Sequence, residues 1–225
     1  MSGAVWIACG AEFVVFVTLL FGAAGTFRWP AAWAFLALLF GAVLILTWRL
    51  ARDDPALLEQ RMKPPLQKDQ PLWDKLLLST FIAAFVGWLF LMGLDAKRFE
   101  WSAAPIWLQS IGAIGVVASI WICYRALAAN TFAAPVVKIQ AERGHRVVSS
   151  GPYRIVRHPL YAGALIFLPA TAVMLGSYYG VAATVVLAAA LVARTALEDR
   201  ELRRRLEGYE DYVRQVPYRL APFVW

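Results

Sequence analysis

Six apolar runs, each close to the length of a membrane crossing, constrain this chain more than anything else in it. A hydrocarbon core of about 30 Å takes about 20 helical residues. Runs near that length cover Ala4 to Gly25, Pro30 to Trp48, Leu76 to Leu94, Ala104 to Leu127, Leu160 to Leu175 and Tyr178 to Ala196. Composition agrees: 60% of the 225 residues are hydrophobic and 16% charged, against roughly 45–50% apolar usage in soluble domains. The expected fold is all-α, a polytopic transmembrane bundle of about six spans. Gly176-Ser177 is too short a break for anything but a helical hairpin between the last two. No Lys or Arg precedes the first run, so it reads as a span and not as a cleaved export signal. No repeat or Ser/Gly-rich linker divides the chain. A single domain over 1–225 is expected, with four spans in 1–128, then a loop, the hairpin and a cytoplasmic C-terminal helix in 129–225.

Basic residues orient the bundle. The segment between spans two and three, the segment between four and five, and the tail hold 19 of the 22 Lys and Arg residues, leaving Arg28, Lys97 and Arg98 for the other side. By the positive-inside rule both termini and both long loops are cytoplasmic, in an inner membrane of bacterial type. The formal charge of +7 thus reads as a collar attracted to anionic lipids and not as a nucleic-acid footprint. Cys9 and Cys123 fall inside spans as buried thiols. With two histidines and no CxxC or HExxH, no protein-bound metal is expected. The stretch from Ala51 to Asp74, with Leu57, Leu58, Met62 and Leu66 among charges, reads as an interfacial helix followed by extended chain, or in a functional version as a lid or lipid guide.

Inside the spans, Glu12 is the one strong midplane charge. It is expected to be protonated or paired, in a substrate cavity or an interhelical hydrogen bond. Gly112, Gly115 and Ser119 read as a close-packing stripe, and Trp29, Trp101 and Trp225 as interfacial anchors.

Chemistry concentrates in GPYRIVRHPLYAG, Gly151 to Gly163. Gly151-Pro152 makes a turn. Pro159 disfavours helical backbone at His158 and suits the first helical position, so a helix starts there. The free N–H groups of its first turn, with Arg157 beside them, make an anion site at the membrane surface. His158 offers a donor or acceptor, and Tyr161 stacks or hydrogen-bonds. The plain alternative is that His158 caps the helix while Arg154 and Arg157 hold lipid phosphates. A second constellation, ARTALEDRELRRRLEGYEDY, places Arg194, Glu198, Glu201 and Arg205 on one helix face if span six continues into the cytoplasm. The hairpin brings these carboxylates opposite His158 and Arg157 across one shallow site.

Together these stretches resemble the integral-membrane methyltransferases typified by isoprenylcysteine carboxyl methyltransferase, with phospholipid N-methyltransferases as relatives. The resemblance is strongest over Val137 to Trp225, where GPYRIVRHPLYAG is followed by ED-x-x-L, GYEDY and RLAPFVW. It implies S-adenosylmethionine as cofactor, bound by His145, Tyr153, Arg157, His158, Pro159, Tyr161, Glu198 and Tyr212, with Asn130 a weaker candidate. Where the family commonly has two glutamates this chain has Glu198-Asp199, which leaves open whether Glu198, Asp199 or Glu201 contacts the cofactor.

Methyl transfer needs alignment and a dry site more than a protein nucleophile, and alignment alone contributes about 7–11 kcal/mol. With the methionine carboxylate near Arg157 and its amino end near Glu198 or Glu201, the acceptor is a lipophilic molecule from the bilayer. A carboxylate acceptor needs a cation, for which Arg194 is placed; an amine or thiol needs a base, Glu201 or His145. Two other classes stay open: an NADPH-dependent membrane reductase of sterol-reductase type, whose motif usually has Asn where this chain has Leu160, and a noncatalytic transport or accessory protein.

Overall fold

The structure, a computed structural model, describes residues 3–68 and 70–225, with Ala4 through its backbone only. Among the described residues, eight α-helices follow in chain order: α1 Gly3–Ala24, α2 Pro30–Asp53, α3 Pro55–Arg61, α4 Leu72–Gly93 continued by one π-turn over Leu94–Arg98, α5 Ile106–Ala129, α6 Pro159–Leu175, α7 Tyr178–Arg205 and α8 Tyr209–Gln215. Among the described residues there is no strand. Proline begins α2, α3 and α6, where its missing N–H has no intrahelical partner to lose. Asp54 also caps α3 by accepting from the Leu57 N–H at 3.0 Å.

Among the described residues five helices, α1, α2, α4, α5 and α7, are long and apolar enough to cross a membrane. The sixth expected span, α6, has 17 residues, at the short end of the spanning range. The outer faces carry large apolar side chains such as Ile7, Ile45, Ile114 and Val185, each more than 60% exposed. In water such a belt is an aggregation surface; in a bilayer it faces its natural solvent. The chain is an integral multi-pass membrane protein.

The main core sits between α1, α2, α4, α6 and α7, around Leu20, Phe35, Trp88, Leu89, Met92 and Leu175. Trp88 donates its indole N–H to the Gly180 carbonyl at 2.8 Å and ties α4 to the start of α7. Fully buried Asp95 binds the α6–α7 turn through one carboxylate oxygen, which accepts from Ser102 Oγ at 2.8 Å, Ser177 Oγ at 2.5 Å and the Tyr179 N–H at 3.3 Å. The small-residue stripe is the α5–α6 seam. A Cβ added at Gly112 collides with the Met174 backbone nitrogen, and one at Gly115 meets Ala170 Cβ at 2.8 Å.

Two intramembrane expectations change. Trp29 is 2% exposed and packs edge-on against Phe21, so it is core and not an interfacial anchor. Trp225 is half-buried with the Arg219 guanidinium 4.7 Å over its ring, and Trp101 is 56% exposed. Glu12 points outward from α1, away from the cavity described below, and makes no hydrogen bond among the described residues. Of the cysteines, Cys9 is buried and Cys123 half-buried.

Candidate functional site at the basic end of the bundle

The segments after α2, after α5 and after α7 converge on one end of the bundle. Arg61 Nη1 donates to the Ala133 carbonyl at 3.1 Å, Lys138 Nζ to Gln60 Oε1 at 2.8 Å, and Arg194 Nη2 to the Pro135 carbonyl at 2.8 Å. Between them lies a cavity of about 530 Å³, within the size range of small-molecule sites. Every site residue expected from the sequence lines it except Pro159, and Asn130 lines it too. Its polar end carries Asn130, His145, Tyr153, Glu198 and Glu201. Its other end is walled by Leu46, Leu77, Leu78, Phe81, Ala164 and Ala190 from α2, α4, α6 and α7.

The hairpin does bring the two motifs together, on different terms from the simple anion site. Arg157 is 3% exposed. Its Nε and Nη2 donate to the two oxygens of Asp199 at 2.8 and 3.0 Å, and its Nη1 to the Val216 carbonyl at 2.7 Å. Burial alone would lower its pKa; hydrogen bonds to Asp199 and that residue's charge outweigh burial and raise it above the ordinary arginine value. Thus Arg157 is neither the open cation of an anion site nor a holder of lipid phosphates. Its guanidinium is spent inside the protein, because a buried cation without a counter-charge costs several kcal/mol.

Asp199, fully buried and absent from the cavity wall, is the hub. It also faces His158 Nε2 at 3.3 Å, accepts from Tyr209 Oη at 3.0 Å and Arg219 Nε at 3.0 Å, and lies 3.4 Å from Arg203 Nε. The tail is stitched alongside: the Arg157 and His158 N–H groups donate to the Tyr218 and Arg219 carbonyls at 2.9 and 3.0 Å. His158 precedes the first residue of α6, as Pro159 requires, and its side chain does not cap that helix.

Glu198 occupies the cavity side of the same helix turn. It accepts from Tyr161 Oη at 2.6 Å, and Tyr161 lies between it and His158, whose ring stacks at 5.9 Å. Glu201 is also on the wall and pairs with Arg205 one turn on, at 3.0 Å. Of the three carboxylates, then, Glu198 and Glu201 face the cavity and Asp199 faces the protein.

Tyr212 donates its hydroxyl to the Tyr153 carbonyl at 2.7 Å and so fixes the turn before α6. Burial pushes the Tyr153 phenol up to about 12, partly offset by its hydrogen bond with Asn130. Tyr212 is raised as well, first by burial and then by Tyr153. Both remain neutral donors at physiological pH. His145 stacks on Phe132 at 4.6 Å, and its Nδ1 accepts from the Gln140 N–H at 3.3 Å. That bond leaves the proton on Nε2. Burial, and then Arg143, lower the His145 pKa, with Glu142 opposing. His145 is therefore a neutral hydrogen-bond donor toward the cavity, a weaker base than the sequence reading allowed.

Arg194 lies at the junction of the polar and apolar ends. Its Nε and Nη2 donate to Asp74 at 2.7 and 3.4 Å, and its guanidinium sits 5.6 Å over the Tyr161 ring. Nη1 has no hydrogen-bond partner among the described residues. Asp74 is the residue the sequence reading missed. It is fully buried and also accepts from Gln70 Nε2 at 2.7 Å and the Val137 N–H at 3.0 Å. The available signal was a carboxylate at the threshold of a span, where only a buried cation makes it affordable.

Residues 108–207 match the family model described as phospholipid methyltransferase. The chain is 36% identical over 90 residues to protein-S-isoprenylcysteine O-methyltransferase B of Arabidopsis thaliana, covering 39% of this chain and 45% of that protein. It is 37% identical over 91 residues to a probable protein-S-isoprenylcysteine O-methyltransferase of Oryza sativa subsp. indica, covering 40% and 47%. The chain thus matches less than half the length of these curated relatives. Among solved structures, the eukaryotic intramembrane Ras methyltransferase ICMT (isoprenylcysteine carboxyl methyltransferase) aligns over 94% of this chain and 97% of that one, at 17% identity and a TM-score of 0.48. The resemblance read from the C-terminal motifs is found again in these comparisons.

Proposed function

We propose that this protein is an S-adenosylmethionine-dependent methyltransferase that methylates a lipophilic carboxylate drawn from the bilayer. The observation that carries this reading is the shape of the cavity: one chamber whose polar end holds Glu198, His145, Tyr153 and Asn130 and whose other end is walled by leucines and a phenylalanine of the spans. A polar, zwitterionic cofactor and an apolar acceptor need such a junction. The residues present fit the cofactor. Glu198 and Glu201 supply acceptors for an ammonium or ribose hydroxyls, and His145 Nε2 supplies a donor.

A bound S-adenosylmethionine supplies an electrophilic methyl group on a sulfonium centre. The protein's part is to align and to dry the site. Arg194, aimed by Asp74, presents Nη1 to an acceptor carboxylate at the polar–apolar junction. Such an acceptor arrives deprotonated, so no general base is needed, which suits a His145 already protonated on Nε2. The relatives' names, O-methyltransferases of isoprenylcysteine, support the same acceptor chemistry. The basic end bearing the cavity is assigned to the cytoplasmic side by its charge, where its collar attracts anionic lipids.

The test is ligand stabilisation of the detergent-purified protein. S-adenosylmethionine and S-adenosylhomocysteine are expected to raise the melting temperature and NADPH to leave it unchanged. Stabilisation by NADPH alone overturns the proposal.

A further inference from the structure

Five cationic side chains line the cavity, and four are accounted for. Asp199 neutralises Arg157 and Asp74 neutralises Arg194; Lys138 donates to the side-chain oxygens of Gln60 and Gln67, and Arg146 is exposed to solvent. The fifth is Arg61, the last residue of α3. It is half-buried, its Nη1 donates to the Ala133 carbonyl at 3.1 Å, and no carboxylate among the described residues pairs with it. Cys123, Leu127 and Leu46 flank the cavity there.

A half-buried guanidinium held, among the described residues, only by a carbonyl is electrostatically unfinished. Burial pushes its pKa below the ordinary arginine value, and Cys123 and Tyr153 offset only part of that. An anion set against it reverses the effect. Tyr153 feels the charges of both Arg61 and Glu198, and all three side chains line the same cavity.

We propose that Arg61 is a second carboxylate receiver of the cavity beside Arg194, in the role the sequence reading gave to Arg157. The inference rests on the methyltransferase reading and adds to it the charge of the ligand. The carboxylate has two possible sources, the methionyl end of the cofactor or the lipophilic acceptor, and both offer two oxygens to a planar guanidinium that still has free N–H groups. The placement also gives α3 a task in binding, beyond lying at the interface.

The experiment uses full-length protein in detergent and two probe pairs that differ in a carboxylate. S-adenosylhomocysteine is compared with 5′-methylthioadenosine, and S-farnesylcysteine with its methyl ester, each by calorimetry on wild type and Arg61→Gln. If the cofactor is the source, the variant binds S-adenosylhomocysteine at least about tenfold more weakly, the scale of one lost charge-assisted hydrogen bond, and methylthioadenosine unchanged. If the acceptor is the source, that loss appears for S-farnesylcysteine and not for its ester. Equal effects within both pairs overturn the proposal. Lys63→Gln, which removes a cation just beyond α3 and outside the cavity, is expected to change none of the four affinities. Should Arg61→Gln not fold, Arg61→Lys takes its place: a severalfold loss confined to one carboxylate probe supports the proposal, and equal losses within both pairs overturn it. If wild type binds neither nucleoside, the methyltransferase reading fails, and Arg61 is then judged on the farnesyl pair alone.

Discussion

Two buried aspartates each hold an arginine of the cavity wall, and they do so on opposite terms. Asp199 is saturated: three arginines, one histidine and one tyrosine converge on its two oxygens, and the groups it fixes belong to the turn before α6, to α7, to α8 and to the tail. Asp74 serves one arginine, one glutamine and one backbone N–H, and the guanidinium it aims keeps a free edge. The first pair closes a scaffold. The second offers a cation to whatever enters the cavity. The lesson is that a charge beside a cavity is read by where its hydrogen bonds go; Arg157 and Arg194 both line this one, yet every guanidinium nitrogen of Arg157 is already engaged, whereas Nη1 of Arg194 meets no partner among the described residues.

Removing the charge of Asp199 breaks the comparison from its stronger side. Asp199→Asn leaves the buried Arg157 uncompensated, with Arg219 and Arg203 nearby, and breaking a buried pair in this way costs about 3–5 kcal/mol. The expected outcome is a large loss of stability on unfolding in mixed micelles, with S-adenosylhomocysteine binding lost alongside it because the tail and the start of α6 come apart together. A variant of native stability that merely lost binding would make Asp199 a ligand residue and erase the contrast.

The two pairs also differ in how legible they were. The Asp199 hub was half visible: His158 and Arg157 on one side and the ED pair on the other stand in short motifs, and a two-residue turn between spans forces their ends together. Which carboxylate faced inward was not visible, because Glu198 and Asp199 are neighbours on a helix about 100° apart and only the packing of α6, α8 and the tail decides which side is protein. Asp74 was invisible. Its partner lies 120 residues away, it sits next to Lys75 in a segment of mixed charge, and no period in the sequence relates α4 to α7. The same holds for Arg61, one of several cations in a segment that reads as interfacial until the Ala133 loop folds over it. The close-packing stripe of α5, in contrast, was legible from Gly112, Gly115 and Ser119, since small residues at helical spacing in a span have few other uses, though that α6 fills it was not. Trp29 was misread because a tryptophan at a span end is equally suited to an interface and to a core, and Phe21 and Phe35 claim it for the core.

Asp74→Asn sharpens the comparison from its weaker side. Asn keeps the shape and some of the hydrogen bonds, and Arg194, 11% exposed in its side chain, can relax toward the cavity in a way that Arg157 cannot. The expected stability loss is about 1.5–3 kcal/mol, the range for a hydrogen bond to a charged group, smaller than for Asp199→Asn. Function separates the pairs further. Both Asp74→Asn and Arg194→Gln are expected to retain S-adenosylhomocysteine binding by calorimetry while kcat/KM for a lipophilic carboxylate falls by about ten- to a hundredfold, the same energy read as a rate. Loss of cofactor binding in Arg194→Gln with transfer otherwise intact would reverse the assignment.

The smallest effect concerns His145, which lies outside both pairs and reports whether the polar end of the cavity is as enclosed as Asp74 and Asp199 make it. Its pKa is lowered in the folded protein by burial first and by Arg143 second. Between the unfolded value of about 6.5 and the lowered folded value, the unfolded chain binds the more protons, so stability falls as the pH drops through that window and is unaffected by His145 above it. Protonation would also add a proton to Nδ1, which now accepts from the Gln140 N–H, and so replaces that bond by a repulsion between two donors. His145→Asn keeps an acceptor near the Nδ1 position and cannot titrate. Its loss of stacking on Phe132 is the same at every pH, so the slope and not the level carries the information. Wild type is expected to lose melting temperature more steeply than His145→Asn between pH 7 and pH 5. Parallel lines would mean that His145 is as well hydrated as a free histidine, and that the cavity is open to water where the transfer chemistry needs it dry.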